Sequence, residues 1–511
     1  MSKASHRPTR EGRKEKEEWK TIHRQRYRKM REKQIAEGTE PPQRPAQPNH
    51  KSSYADIEAE LLARQEGVLE HWKAYRRFLP SLVEQFAKIP DPRNLETVSH
   101  QETVLLLYGM FMFVFQITSR REANKVLSAP IFLRNMQTLF PELESMPHGD
   151  TVCRFLEGID PIEIEAALVA LVKDMIHTKK LRRWIHKKIG YVIAIDGTQK
   201  WTGDHPWADE LQERRVQTQD GERIIYSVYV LEAMLVLDNG IRLPLVSEFL
   251  TYPDGCAADE KQDCELKAFY RLAKRLKGYF PKLPITLLLD GLFPCGPVFE
   301  LCRGYNWDFM IVLQDDSLKQ LWENARGVAR LNPVHRKCNV RGDRRQSFWW
   351  ANDLEYYYKP NESKKQVVHL VSCEEVWEEL DDDHKPKTES ANYAWVCSRS
   401  LSFNDVDMRC NDVARRRWDI ETMFYDEKRR GYQYEHTYAY DWNAMRGYHY
   451  LMRLAHFINT LAFHTVALEQ QVAQRGVRSF IEWLRTTYAV LVLDENIIRI
   501  CWDRPFQLRI A

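Results

Sequence analysis

Three acidic side chains, Asp196, Asp290 and Glu421, stand in surroundings that suggest chemistry. Asp196 ends the apolar run Tyr191–Ile195, and Asp290 ends a second run, Ile285–Leu289. Gly190 precedes the first run and Pro284 the second, and a glycine follows each aspartate. Short apolar runs bounded by turn residues read as strands buried on both faces, as in a parallel or mixed sheet. An aspartate at the carboxyl end of such a strand points into the crevice where open α/β sheets bind ligands. If the two strands are neighbours, their carboxylates can share a divalent cation. Hard oxygen ligands suit Mg2+ or Mn2+. Two such ions roughly 3.5–4 Å apart can activate an attacking oxygen and stabilise a leaving one in phosphoryl transfer.

The third carboxylate sits in a charged stretch, Arg415 to Lys428, that reads as helix. Arg417, Glu421 and Lys428 fall at i, i+4 and i+11. At about 100° per residue the second and third lie about 40° and 20° from the first, so all three project from one face. A carboxylate flanked by two cations suits a site that holds metal and phosphate together. In isolation the same spacing describes a surface helix with an i,i+4 Arg–Glu pair. Trp418, Ile420, Met423 and Phe424 supply a packing stripe under either reading.

Taken in order with the two aspartates, Arg417-x3-Glu421-x6-Lys428 resembles the R-x3-E-x6-K part of the Y-x2-R-x3-E-x6-K signature of DDE transposases, which serve bacterial cut-and-paste insertion sequences. Ala194-Ile-Asp196-Gly-Thr198 and Leu288-Leu-Asp290-Gly291 look like that family's first and second catalytic aspartates. The likeness runs from about Gly190 to His464 and is weaker upstream. The signature tyrosine, which holds a phosphate at the transposon end in that family, falls on Ala414; Arg415 and Arg416 are candidate substitutes.

The resemblance implies an α/β fold with a ribonuclease-H-like mixed sheet, and two Mg2+ or Mn2+ ions as cofactors. Asp196 would bridge the ions, and Asp290 and Glu421 would each bind one. Arg417 and Lys428 would hold phosphates of the transposon end. The partners would be DNA, both transposon ends and target, in an end complex built on a homodimer. The location would be the bacterial cytoplasm, on nucleoid DNA and away from membrane. Two alternatives stay open: a domesticated DNA-binding protein of the same fold that no longer cleaves, and a metal-dependent nuclease without strand transfer.

The chain of 511 residues has room for roughly two to four domains. Its formal net charge is only +3, so nucleic-acid affinity has to come from local charge. The 10 cysteines form no C-x-x-C pair and read as reduced core thiols rather than a zinc or disulfide framework. The N-terminus is charged and lacks the apolar segment of a signal peptide. The most apolar run, Val104–Ile117, is too short to span a bilayer and reads as a buried helix.

Five regions follow from these patterns. Residues 1–53 are a basic, then Pro-rich tail that cannot bury a core and either touches DNA phosphates or is simply solvated. Residues 54–188 read as an all-α domain, with helix starts at Asp150-Thr151 and at Asp160-Pro-Ile-Glu163. Within it, 119–160 suits either helix-turn-helix DNA reading or plain packing. Residues 189–313 and 402–465 form the catalytic core. Its order is Tyr191–Ile195, Ile224–Leu237 and Arg242–Phe249 as strands, with a turn at Asp238-Asn-Gly240; a helix Glu260–Tyr279; the strand Ile285–Leu289; a helix near Val298–Arg303; and the strand Phe309–Leu313. Residues 314–401 read as a β-rich insertion with strands at Ser347–Trp350, Glu355–Tyr358, Val367–Val371 and Tyr393–Val396 and an acidic loop, Glu374–Asp383. Residues 466–511 return to helix. Tyrosines within 429–438 could line a DNA groove or the core, and His449, His456 and His464 read as core or surface histidines rather than ligands.

Overall fold

The computed structural model describes residues 10–38, 54–94, 96–139, 143, 145–186, 188–218, 221–251, 263–358, 363–380, 386–496, 498–499 and 509–510. By internal contacts the chain divides into two units, Met1–Glu60 and Leu61–Ala511. The first holds the basic helix α1 (Arg10–Ala36), on which Ile22, Tyr27, Met30 and Ile35 are exposed. The Pro-rich stretch 41–48 lies outside the described residues.

A run of helices follows: α2 (Ile57–Phe86), whose first turn falls within the first unit's bounds, then α3 (Glu102–Val114), α4 (Arg120–Val126), α5 (Pro130–Leu139), α6 (Gly149–Gly158) and α7 (Ile162–His177) of the second. Every residue of α3 from Leu105 to Val114 is buried, as a helix apolar all round must be. The caps are local. Ser119 Oγ accepts from Glu122 N (3.1 Å) while Glu122 Oε2 accepts from Thr118 N (3.0 Å). α6 begins earlier than Asp150-Thr151 suggests, because the ring of His148 takes the cap by accepting from Asp150 N (3.1 Å). Asp160 Oδ1 accepts from Ile162 N (3.1 Å) and starts α7 as read.

Next come β1 (Tyr191–Gly203), β2 (Gln212–Thr218), β3 (Gly221–Val236), β4 (Arg242–Phe249), α8 (Glu265–Tyr279), β5 (Ile285–Leu289), α9 (Gly296–Gly304) and β6 (Asp308–Val312). The strands join one mixed sheet. β5 lies between β1 and β6, parallel to both, while β3 runs antiparallel to β1 and carries β2 and β4 along its two halves. Alternate residues face two cores. Ile193, Ile195, Leu287 and Leu289 join the core under α3 and α8; Val192, Ala194 and Leu288 face the other side. That double burial is why these strands are continuous apolar runs. Gly190 is needed at the entry: its φ is +82°, and a Cβ there would sit 2.5 Å from Pro284 O, which accepts from Tyr191 N.

The inserted segment is built into the same sheet. It contains α10 (Lys319–Leu331), β7 (Arg336–Arg341), β8 (Arg344–Tyr358), β9 (Lys364–Leu380) and β10 (Pro386–Cys397). β10 pairs antiparallel with β6, extending the order to β6-β10-β9-β8-β7. The acidic stretch is therefore strand as far as Leu380, and its remainder lies outside the described residues. The chain then passes through a short turn α11 (Val406–Met408), a π-helical turn Arg409–Val413 and a 3-10 stretch Ala414–Trp418 into α12 (Asp419–Arg429). It closes with α13 (Trp442–Phe463), α14 (Glu469–Arg475) and α15 (Val477–Val490). Among the described residues no helix is long and apolar enough to cross a membrane, and eight cysteines are free thiols, Cys153, Cys302, Cys373, Cys397 and Cys410 buried.

Candidate active site

The register of β1 on β5 sets the two aspartates opposite each other. The last pair is Ala194 with Leu288, and two residues further along each strand stand Asp196 and Asp290. β1 itself does not end at Asp196; it runs on to Gly203 because β3 continues to pair with it, Asp196 lying opposite Glu232. Gly197 N donates to Asp196 Oδ1 (2.9 Å), and Leu292 N donates to Asp290 Oδ1 (3.0 Å).

Arg417 brings in the third carboxylate. Its Nη1 donates to Asp196 Oδ2 (3.1 Å) and its Nη2 to Glu421 Oε1 (2.6 Å). The Arg417 side chain is 9% exposed and that of Glu421 56%, so the pair bridges from the sheet to the surface of α12. Arg417 Nε is buried with no hydrogen-bond partner among the described residues. Arg417 belongs to the 3-10 stretch and Glu421 to α12, so the expected single helix is broken between them, yet the i,i+4 pairing survives.

Burial pushes the Asp196 carboxyl up to about 6; Arg417 opposes this, while the charges of Asp290 and Glu265 add to it. Asp196, Asp290 and Glu421 are three carboxylates served by the single Arg417 guanidinium, which contacts only Asp196 and Glu421. Divalent cations with hard oxygen preference fit such a donor set. As the side chains stand, no group of three or more His, Cys, Asp or Glu among the described residues closes on a metal position; the Arg417 guanidinium lies between Asp196 and Glu421 instead.

The remaining cations are engaged. Lys428 Nζ donates to Gln199 O (2.9 Å) and lies 3.6 Å from Glu435, and burial lowers its pKa. Arg415 turns toward the insertion, donating to Glu375 Oε1 (2.6 Å) with its guanidinium 4.2 Å from the Tyr393 ring centre. Arg416 pairs with Asp419 (3.1 Å) and Asp238 (3.6 Å). Ala414 is buried in the core beneath α12 with Val413, Ile420 and Met423.

Two groups near the site carry no signal in the sequence motif. Glu265, at the start of α8, and Tyr229, on β3, sit against Gly197. Behind the site a buried network pins α12. Arg453 of α13, 1% exposed, donates to Glu427 Oε1 and Oε2 (2.9 and 3.1 Å) and reaches Glu232 (3.2 Å). His456 Nδ1 lies 2.7 Å from Glu427, and Tyr434 donates to Glu232 (2.8 Å). Burial drives Glu232 up, but the Arg453 guanidinium, helped by hydrogen bonds from His449 and Ser247, overcomes it and holds the carboxyl at about 2; burial depresses His449 to about 4, so its ring is neutral and acts through that hydrogen bond. Two histidines read as core or surface thus prove structural, and Tyr432, Tyr434 and Tyr438 are core. The clue in the sequence is that Glu427 falls four positions after Met423 and three after Phe424, on the apolar stripe of the helix.

Residues 83–172 match the family model described as DDE_Tnp_1-associated, a stretch running from the last turn of α2 into α7. The match points to a DDE-type transposase family and to a transposase-related function. No curated protein matches the chain.

Proposed function

We propose that this protein is a DDE transposase that cleaves transposon-end DNA and joins the 3′ ends to target DNA. The carrying observation is the convergence of Asp196, Asp290 and Glu421: two aspartates in parallel register, and a glutamate brought to the first of them by Arg417. The sheet order β4-β3-β1-β5-β6, with β1 and β5 adjacent and parallel, supports a ribonuclease-H-like core. The DDE_Tnp_1-associated match upstream supports the same reading from independent residues.

Asp196, Asp290 and Glu421 would hold two Mg2+ or Mn2+ ions, with Asp196 shared. When bound, such ions lower the pKa of an attacking water or 3′-hydroxyl and neutralise the charge that develops on the phosphorane. The chain's own residues supply the rest. Arg417, already aimed into the site, exchanges a carboxylate for a scissile-strand phosphate. Lys428, at the far end of α12, holds a second phosphate, and Arg415 and Arg416 flank the helix entry. The enzyme acts in the bacterial cytoplasm on nucleoid DNA, as a homodimer that brings two ends together.

The test is a cleavage and strand-transfer assay in Mg2+ on DNA carrying the element's own ends, wild type beside Glu421→Ala. Nicking and joining lost in the variant, with DNA binding kept, supports the proposal. Binding without nicking by either protein selects a domesticated DNA-binding protein. Nicking without joining selects a nuclease, and equal activity in both removes Glu421 from the site.

A further inference from the structure

The buried carboxylates of this fold are mostly matched by arginines. Glu165, Glu248 and Asp263 share Arg271 and Arg275. Glu375 has Arg344 and Arg415, and Glu232 and Glu427 have Arg453. Around the candidate site the pattern changes. Among the described residues no basic side chain pairs with Asp290 or with Glu265, although the two are close enough for the Asp290 charge to bear on Glu265 and on Tyr229 beside it.

Glu265 is directed there by three features. It is the first residue of α8, following Cys264, whose side chain makes no cap bond. Tyr229 lies beside its carboxylate on the β3 side and favours the ionised form. It also packs onto the backbone of β1 immediately after Asp196: a Cβ on Gly197 would fall 2.5 Å from Glu265 Oε1 and 2.6 Å from Tyr229 Cε1. Real side chains do not approach so closely, so the bare backbone of Gly197 is what admits the carboxylate.

We propose that Glu265 is a fourth carboxylate of this site, acting on a divalent cation from the Asp290 side and positioned by Tyr229 and Gly197. The inference rests on the two-cation reading given above. Asp196 and Glu421 share Arg417 on the α12 face, so the Asp290 side holds the uncompensated charge. Glu265 adds a hard oxygen donor there, directly or through a water of the ion, since Mg2+ keeps several of its waters. The competing explanation is that Glu265 simply favours the start of α8 through the helix dipole. A helix-start role would leave cation affinity unchanged.

The experiment uses the full chain without DNA and titrates Mn2+ by electron paramagnetic resonance, comparing wild type, Glu265→Gln, Gly197→Ala and Asp196→Asn. Glu265→Gln keeps the size and hydrogen-bonding shape of the side chain; Gly197→Ala keeps the charge but displaces it. Both should weaken Mn2+ binding by about 10–100-fold, the range seen when partners of a metal site are removed. The Mg2+ concentration needed for half-maximal cleavage should rise in the same order. If Asp196→Asn loses Mn2+ while Glu265→Gln and Gly197→Ala bind it like wild type, Glu265 is not part of the site and the inference fails alone. If Asp196→Asn also binds Mn2+ like wild type, the two-cation reading itself falls.

Discussion

Arg453→Met should detach α12 from the sheet, and its cost can be worked from the buried charges it leaves. Glu232 and Glu427 are fully enclosed and Arg453 contacts both. Glu232 is held at about 2 against an ordinary 4.5. At ~1.4 kcal/mol for each tenfold in acidity, that is roughly 3 kcal/mol. It agrees with the ~3–5 kcal/mol lost when one partner of a buried ion pair is removed. The sign follows from linkage. In the wild type a depressed carboxyl contributes stability that is complete above the ordinary pKa and lost as pH falls toward about 2. In the variant, burial without a cation raises both carboxyls, so a new penalty grows as pH climbs above the ordinary range. The gap between the proteins should therefore be widest near pH 8 and narrow toward pH 5. Urea denaturation followed by tryptophan fluorescence at both pH values measures it. A gap below about 1 kcal/mol at pH 8, or one that does not narrow in acid, would refute the account of the network.

Asp196→Asn should stabilise the cation-free protein. The folded carboxyl sits at about 6 against 3.8, so ionisation costs stability that is absent below the ordinary pKa and grows as pH rises through 6. Melting in EDTA at pH 7.5 should show the variant more stable by ~1–3 kcal/mol, with little difference near pH 3, below the ordinary pKa; a less stable variant would contradict this. Lys428→Ala should weaken binding to DNA of any sequence and reduce the slope of log affinity against log salt by about 1. An unchanged slope would confine Lys428 to anchoring β1 through Gln199 O.

β5 was legible to the residue because both its faces are covered, leaving a short run with clear ends, and β4 because it follows directly on the Asp238-Asn-Gly240 turn. β2 and β7, Gln-Glu-Arg-Arg-Val-Gln-Thr and Arg-Lys-Cys-Asn-Val-Arg, show no apolar run: both are polar strands at opposite ends of the sheet. α10 was visible in principle, since Leu321, Trp322, Ala325 and Ala329 recur at helical spacing, but its surroundings suggested strands throughout. The acidic end of β9 looked like a loop because Glu375 is matched by Arg344 and Arg415, partners 31 and 40 positions away. The site was partly legible for the same reason. Arg417 and Glu421 are a local pair, and their approach to Asp196 spans 221 positions. Glu265 joins only through the fold, and nothing around it in the chain marks it. The switch from π turn to 3-10 stretch before α12 is equally silent in residue type, as it depends on packing of Val413 and Ala414 into the core.

An unbroken hydrogen-bonded plate behaves mechanically unlike two lobes on a hinge. Strands in such a plate do not slip singly, because moving the register by one residue would turn every side chain to the wrong face. β10 grips β6 through Trp395, Val396 and Cys397, and β6 lies alongside β5, whose last residue precedes Asp290. Load applied at the distal β7–β8 hairpin is thus carried inward as bending and twist. The inserted segment is a lever arm cantilevered from the strands that carry Asp196 and Asp290, and load on its tip would be felt as torsion at the aspartates.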